Sequence, residues 1–170
     1  DGLREQGHEI HILAASSGYG DKAYPNTRPV SRRLTKFPIG GTVARVSLSP
    51  RSYVRIKRIL KEENFDIIHL QEPLTPSITW WVLINTLALA NIPVIGTFHA
   101  YHEQPNWFYH HGRPIFGKLF TRLDRLIAVS KAAQDFAYSM FPGHYQIFPN
   151  GIDLGRFGKL KAEEREVERK

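Results

Sequence analysis

The stretch Pro93-Val94-Ile95-Gly96-Thr97-Phe98-His99 constrains this chain more than any other. It reads as a buried strand that ends at a histidine. Val94, Ile95 and Phe98 are β-favouring and apolar, as a strand covered on both faces requires. Pro93 suits only the first position of a strand, because it has no N–H to give a ladder. After His99 the pattern breaks into Ala100-Tyr101-His102-Glu103-Gln104-Pro105. Ligands of open parallel sheets bind at the carboxyl ends of the strands, and His99 falls at such an end. The alternative is that His99 caps the strand or satisfies a nearby backbone group.

The flanking sequence supplies partners for such a strand. Asp1 to Gly7 looks like the last turns of a helix ending at a C′ glycine, and the strand Glu9–Ala14 follows at once. A helix end without a beginning suggests that a strand and most of a helix precede Asp1. Residues 15–27 are rich in Ser, Gly, Pro and Asn and read as loop. Pro29–Leu34 reads as a short, basic edge strand, Phe37–Gly41 as a turn, and Thr42–Leu48 as an alternating strand. Ser49 or Pro50 opens a helix to about Glu63. At 100° per residue it gathers Tyr53, Ile56, Ile59 and Leu60 on one side and Val54, Lys57, Arg58 and Lys61 on another.

Phe65–Leu70 is the next strand, followed by the loop Gln71–Pro76. Thr75 with Pro76 forms an N-cap and N1 pair for a helix to Ala90. That helix is the most apolar run of the chain. It is too short and too polar, with Thr79, Asn85 and Thr86, to span a bilayer. Trp107–Arg122 is aromatic and basic, and helical from Pro114. Arg125–Val129 is a strand, Ser130 caps a helix Lys131–Met140, Tyr145–Phe148 is a strand, and Pro149-Asn150-Gly151 is a turn. Lys159–Lys170 is highly charged and reads as a frayed helix. Strands alternating with helices imply right-handed crossovers and a parallel sheet covered on both faces.

A chain of 170 residues buries roughly 70% of its unfolded surface, enough for one core. It has no cysteine, which excludes disulfides and Cys-based zinc or redox sites and fits a reducing cytosol. No signal-peptide pattern stands at Asp1. The basic charge is concentrated: Lys22 to Lys61 holds eleven Lys or Arg and no Asp or Glu, in a chain of net charge +7. That patch points to an anionic partner, whether membrane headgroups, a phosphorylated substrate or nucleic acid, unless it is simply a solvated face. There is no glycine-rich phosphate fingerprint, no His-Glu-x-x-His pair and no nucleophile elbow. His110-His111 is a poor metal pair, since adjacent residues of a strand or helix rarely converge on one ion.

Four stretches in order resemble the N-terminal domain of family 4 glycosyltransferases of the GT-B fold. They are Leu3–Leu13, Phe65–Pro73, Pro93–Ala100, and Ile127–Ser130 with Pro149–Asp153. Thr42-Val43-Ala44-Arg45 before the basic helix, and Glu72-Pro73 with Pro76-Ser77, are similar to the phosphatidylinositol mannosyltransferases among them. Ile39-Gly40 stands where that subset has a Tyr-Asn pair, and Ala100 where it has a hydroxyl residue.

The resemblance implies an α/β, Rossmann-like parallel sheet with helices on both faces, the N-terminal half of a GT-B enzyme truncated at both ends. It implies an acceptor-side domain over 1–153 and a charged linker over 154–170, leading toward a donor-binding domain. It also implies transfer of a sugar, such as mannose, from a nucleotide-sugar with retained configuration and no bound metal or other cofactor. The acceptor would be a phosphatidylinositol-type lipid or a small molecule, with no nucleic acid partner. His99 is the implied catalytic residue against the donor sugar. Glu72, Thr97, Ala100, Gly40 and Gly41 are the implied substrate contacts. Asn150, Gly151 and Asp153 mark the passage between domains. Arg51, Arg55, Lys57, Arg58 and Lys61 are expected to face an anionic membrane, so the expected location is cytoplasmic, peripheral on the inner face of the cytoplasmic membrane. His69 is expected as a strand histidine packed in the core. The competing expectations are a GT-B sugar epimerase and a non-catalytic Rossmann-like module that holds anionic membrane or nucleic acid.

Overall fold

The structure, a computed structural model, describes residues 2–15, 27–31, 34–39, 42–47, 49–73, 75, 77–89, 91–101 and 116–152, with the backbone alone for 37–39 and 42–46. Its centre is a four-stranded, wholly parallel sheet in the order β5-β6-β7-β8: Ile68–Gln71, Val94–Phe98, Arg125–Ala128 and Tyr145–Ile147. The expected strand around Val94 is therefore an interior one. Proline at 93 stops it one residue short of the predicted start, and His99 lies just past its end.

Alternation places Val94, Gly96 and Phe98 on one face of β6, and all three are buried. Helix α4, Lys131–Met140, covers this face. It presents Ala133, Phe136, Ala137 and Met140 at helical spacing to Phe98, Ala128 and Tyr145. As expected, Ser130 is its N-cap, accepting from the Ala133 N–H at 3.1 Å. Phe120, from the helical residues 116–120, stacks on Phe141 with centroids 4.3 Å apart and lies 5.5 Å from Phe98. The same face has no room for a side chain at 96. A Cβ there would lie 3.0 Å from one methyl of Leu123 and 3.1 Å from Pro73 Cγ.

A second core lies under α2, Pro50–Glu62. Ile56, Ile59 and Leu60 pack with Val30, Leu70, Val82, Leu83 and Val94, while Val54, Lys57, Arg58 and Lys61 stay exposed. The predicted division of this helix into an apolar and a basic side is therefore observed. Helix α3, Ile78–Thr86, packs against α2, and Tyr53 meets Trp81 edge-on at 5.7 Å.

The start of the chain follows its sequence in the helix end, but the strand after it begins at Ile12 and not at Glu9. Helix α1, Gly2–Glu5, ends at Gly7, whose φ is +88°. The His8 N–H bonds Leu3 O and the Gly7 N–H bonds Arg4 O, the paired closure that a left-handed C′ residue permits. Strand β1, Ile12–Ala15, then pairs in parallel with β2, Thr27–Ser31.

Several expectations need correction. The basic edge strand runs Thr27–Ser31, not Pro29–Leu34, and Pro29 is tolerated because β1 is β2's one partner among the described residues. Phe37–Ile39, read as part of a turn, belongs to β3, Thr35–Ile39. This strand forms a separate antiparallel ribbon with β4, Thr42–Val46. Helix α3 is capped by Ser77, whose Oγ accepts from the Thr79 N–H, and not by Thr75; the Thr75 carbonyl instead accepts from the Thr79 hydroxyl at 3.1 Å. The helix ends at Thr86 and not Ala90. Arg122 sits at that end: its guanidinium donates to Thr86 O at 3.0 Å, to Leu89 O at 3.3 Å and to Ile92 O. Thr86 O also accepts the Leu89 N–H at 3.0 Å, so the cation adds a second bond there and favours the negative end of the helix. Arg122 also holds Asp124 at 2.9 Å, and Asp124 accepts the Val94 N–H at 2.7 Å, so one clasp joins α3 to the start of β6. The tail Lys159–Lys170, the pair His110-His111 and most of the loop at 15–27 lie outside the described residues.

Candidate functional site

The site lies where β5 and β6 end side by side. Their register pairs Gln71 with Thr97, so Glu72 emerges beside the residues that follow β6. The Glu72 N–H donates to Thr97 O at 2.9 Å, extending the ladder by one bond. Glu72 then adopts φ +51°, a left-handed conformation that costs a non-glycine residue about 1 kcal/mol or more. The turn swings its carboxylate across to the next strand. Oε1 accepts from the His99 N–H and from the Ala100 N–H, the latter at 2.6 Å. Two backbone donors on one carboxylate oxygen fix the path of the chain as it leaves β6. Among the described residues Oε2 stays open.

His99 is exposed at this end of the sheet. Its Nε2 lies 2.6 Å from Gln71 Oε1. The other end of the same amide lies 3.3 Å from His69 Nε2, which also meets the Thr97 hydroxyl at 2.6 Å. The polar chain is therefore Thr97, His69, Gln71, His99. Alternation explains it, because residues two apart on β5 and on the β6 path share one face. Partial burial of the His69 ring, and secondarily the nearby His99, push the His69 pKa below its usual value.

Of the expected site residues, Glu72, Thr97, His99 and Ala100 come together. Ala100 contributes its backbone N–H. Thr97 was expected to touch substrate, but it is 6% exposed and its hydroxyl is taken up by His69. It supports the site from beneath. His69 was expected in the core, but it is exposed and belongs to the polar chain. Asn150 and Gly151 are exposed beyond β8, on the edge where all four parallel strands end. Gly40, Gly41 and Asp153 lie outside the described residues. Arg51, Arg55, Lys57, Arg58 and Lys61 are all exposed on α2, away from the buried Ile56, Ile59 and Leu60. Arg55 is partly engaged, donating to Pro29 O at 2.9 Å. Among the described residues no three His, Cys, Asp or Glu gather as a metal site, and no helix is long and apolar enough to cross a membrane. Sequence reasoning missed Gln71, which it left as a loop residue; the period-two spacing His69, Gln71 was the available signal.

A parallel α/β sheet with polar groups converging at its carboxyl edge is Rossmann-like, and in such sheets that edge is where ligands bind. Residues 1–156 match the model of Glycosyltransferase Family 4, and the chain belongs to that family, whose fold is GT-B. The chain is 28% identical over 170 residues to a phosphatidyl-myo-inositol mannosyltransferase of Propionibacterium freudenreichii subsp. shermanii, covering 96% of this chain and 43% of that protein. It is 30% identical over 155 residues to the Mycobacterium leprae protein of the same description, covering 89% of this chain and 39% of the relative. The Mycobacterium tuberculosis protein of that description is 29% identical over 158 residues, with 91% and 39% covered. The chain thus spans about two fifths of the length of the curated relatives it matches.

Proposed function

We propose that the full-length protein is a retaining glycosyltransferase that moves mannose from a nucleotide-sugar to a phosphatidylinositol-type lipid. Family membership and the relatives' descriptions support the reaction and the acceptor. The observation that carries the site is His99, exposed at the end of β6 with its main chain held by Glu72 and its ring by Gln71. In this reading 1–153 is the acceptor-side domain. Residues 154–170 lead toward a second domain that holds the nucleotide diphosphate.

The transition state of glycosyl transfer resembles an oxocarbenium ion. His99 accelerates transfer by bonding a hydroxyl of the donor sugar more strongly in that state than in the ground state. A ring held on a fixed strand end pays little reorganisation when it does so. Glu72 Oε2 and the chain at Ala100 meet the substrate beside it, and transfer needs no bound metal. The basic side of α2 rests on anionic lipid at the inner face of the cytoplasmic membrane and brings the cleft to its acceptor headgroup.

The test is transfer of labelled mannose from nucleotide-linked mannose to phosphatidylinositol vesicles by the full-length protein. His99→Ala should lower turnover by about 2–4 kcal/mol of barrier, roughly 30- to 1000-fold, with the fold intact. Wild-type turnover in a folded His99→Ala variant overturns the role of His99. Absence of transfer by the wild type, with an epimerised sugar as product instead, overturns the reaction.

A further inference from the structure

We propose that Gln71 is a positioning residue for His99, its amide deciding which ring nitrogen His99 presents to a ligand. The proposal rests on the role given to His99 above. An amide is asymmetric: it accepts at one end and donates at the other. Gln71 Oε1 lies 2.6 Å from His99 Nε2, so that nitrogen carries a hydrogen and the lone pair of the neutral ring is on Nδ1. Among the described residues Nδ1 has no partner. Gln71 Nε2 lies 3.3 Å from His69 Nε2, so His69 accepts there and carries its hydrogen on Nδ1. The buried Thr97 hydroxyl donates to the same His69 nitrogen at 2.6 Å.

These four side chains admit one consistent set of donors and acceptors in this amide orientation. His69 is kept in the tautomer that a solvated histidine disfavours, and its neutral form is favoured by partial burial of the ring. His69 and Thr97 thereby hold the amide, and the amide turns His99 into a hydrogen-bond acceptor. A sugar hydroxyl meeting Nδ1 then donates a hydrogen bond to that nitrogen and keeps its proton. Gln71 is itself exposed, so the arrangement adds little to the core. Its use is to orient.

Selective ¹⁵N-histidine labelling of the full-length protein reads the arrangement directly, because protonated and bare ring nitrogens have distinct shifts. In the wild type at neutral pH, His69 should carry its hydrogen on Nδ1 and His99 on Nε2. Gln71→Leu should move the His99 signals, because that ring loses its acceptor; His69 keeps the Thr97 hydroxyl as donor and should shift less. Gln71→Glu keeps an acceptor and loses the donor, so it should restore the His99 signals but not those of His69. In the transfer assay Gln71→Leu should lower kcat about tenfold, as loss of one hydrogen bond predicts, with KM little changed. Added to His99→Ala it should cost nothing more, because both changes act through one group. A wild-type His69 with its hydrogen on Nε2, or Gln71→Leu and His99→Ala losses that multiply, overturns the proposal. If His99→Ala alone leaves turnover intact, the role of His99 fails; the tautomer spectra still decide whether Gln71 bridges the rings.

Discussion

Glu72→Ala is the most informative perturbation of the site's frame. The carboxylate accepts two backbone N–H groups, from His99 and Ala100, at the point where β6 becomes loop. A hydrogen bond to a charged group is worth about 1.5–3 kcal/mol when it excludes water. His99 is exposed and Ala100 half-buried, so water can replace part of each bond and the low end applies. Loss of both therefore costs about 2–3 kcal/mol. Alanine keeps the left-handed strain at φ +51°, whereas glycine releases it. Glu72→Gly should thus be about 1 kcal/mol less destabilising than Glu72→Ala, although both lack the carboxylate. Urea unfolding of the full-length protein measures the difference. Hydrogen exchange locates it: the His99 and Ala100 amides should exchange at least about tenfold faster in both variants, since each 1.4 kcal/mol of lost protection is a factor of ten. Unchanged protection of these two amides in Glu72→Ala would refute the clamp. Equal stabilities of the Ala and Gly variants would refute the strain.

Arg122→Ala should destabilise the protein by about 2–4 kcal/mol, because it removes the guanidinium bonds to Thr86 O, Leu89 O and Ile92 O and the pair with Asp124; thermal unfolding checks this, and a loss below that of an ordinary surface change would reject the clasp. The Asp124 pKa is held down first by the Val94 N–H and then by Arg122. Its contribution is therefore present above pH 3.8 and lost as pH falls through the lower folded value, and Asp124→Asn should remove that part of the acid-side slope. His69 also has a lowered folded pKa, so the unfolded chain binds its proton first; stability from the polar chain should be full above pH 6.5 and fall below it, and His69→Asn should flatten that step. On anionic vesicles, changing Arg51, Lys57, Arg58 and Lys61 to Ser should weaken binding by up to about a thousandfold, at about 1 kcal/mol per basic residue. Arg55 is spared because it bonds Pro29 O. Added salt should weaken wild-type binding likewise, and binding that survives the four changes would reject membrane docking by this helix.

Features written in local sequence were legible. A serine before a helical run became the cap of α4, a glycine after one became the closure of α1, and the 100° spacing of Ile56, Ile59 and Leu60 became the buried side of α2. Errors arose where two local signals competed. Thr75 and Ser77 are both good caps, and the choice fell to Ser77, which leaves the Thr75 carbonyl for the Thr79 hydroxyl. Pro38 argues against a strand interior, yet a two-stranded ribbon leaves an outer edge where no N–H is needed.

The site divides along the same line. His99 was legible because a hydrophobic run ends there, and a strand end in a parallel sheet is where ligands are met. Its ring partner Gln71 was not, because that contact depends on register. Gln71 and Thr97 are neighbours only because β5 and β6 pair as they do. A shift of one residue would turn His69 and Gln71 to the opposite face and bury them against α2 and α3. That register is set by Leu70, Val94 and Phe98, which must share the packed face. The polar chain on the other face is therefore a consequence of the core. Hydrophobic burial chooses the register, and the register brings an amide between two histidines at the strand end.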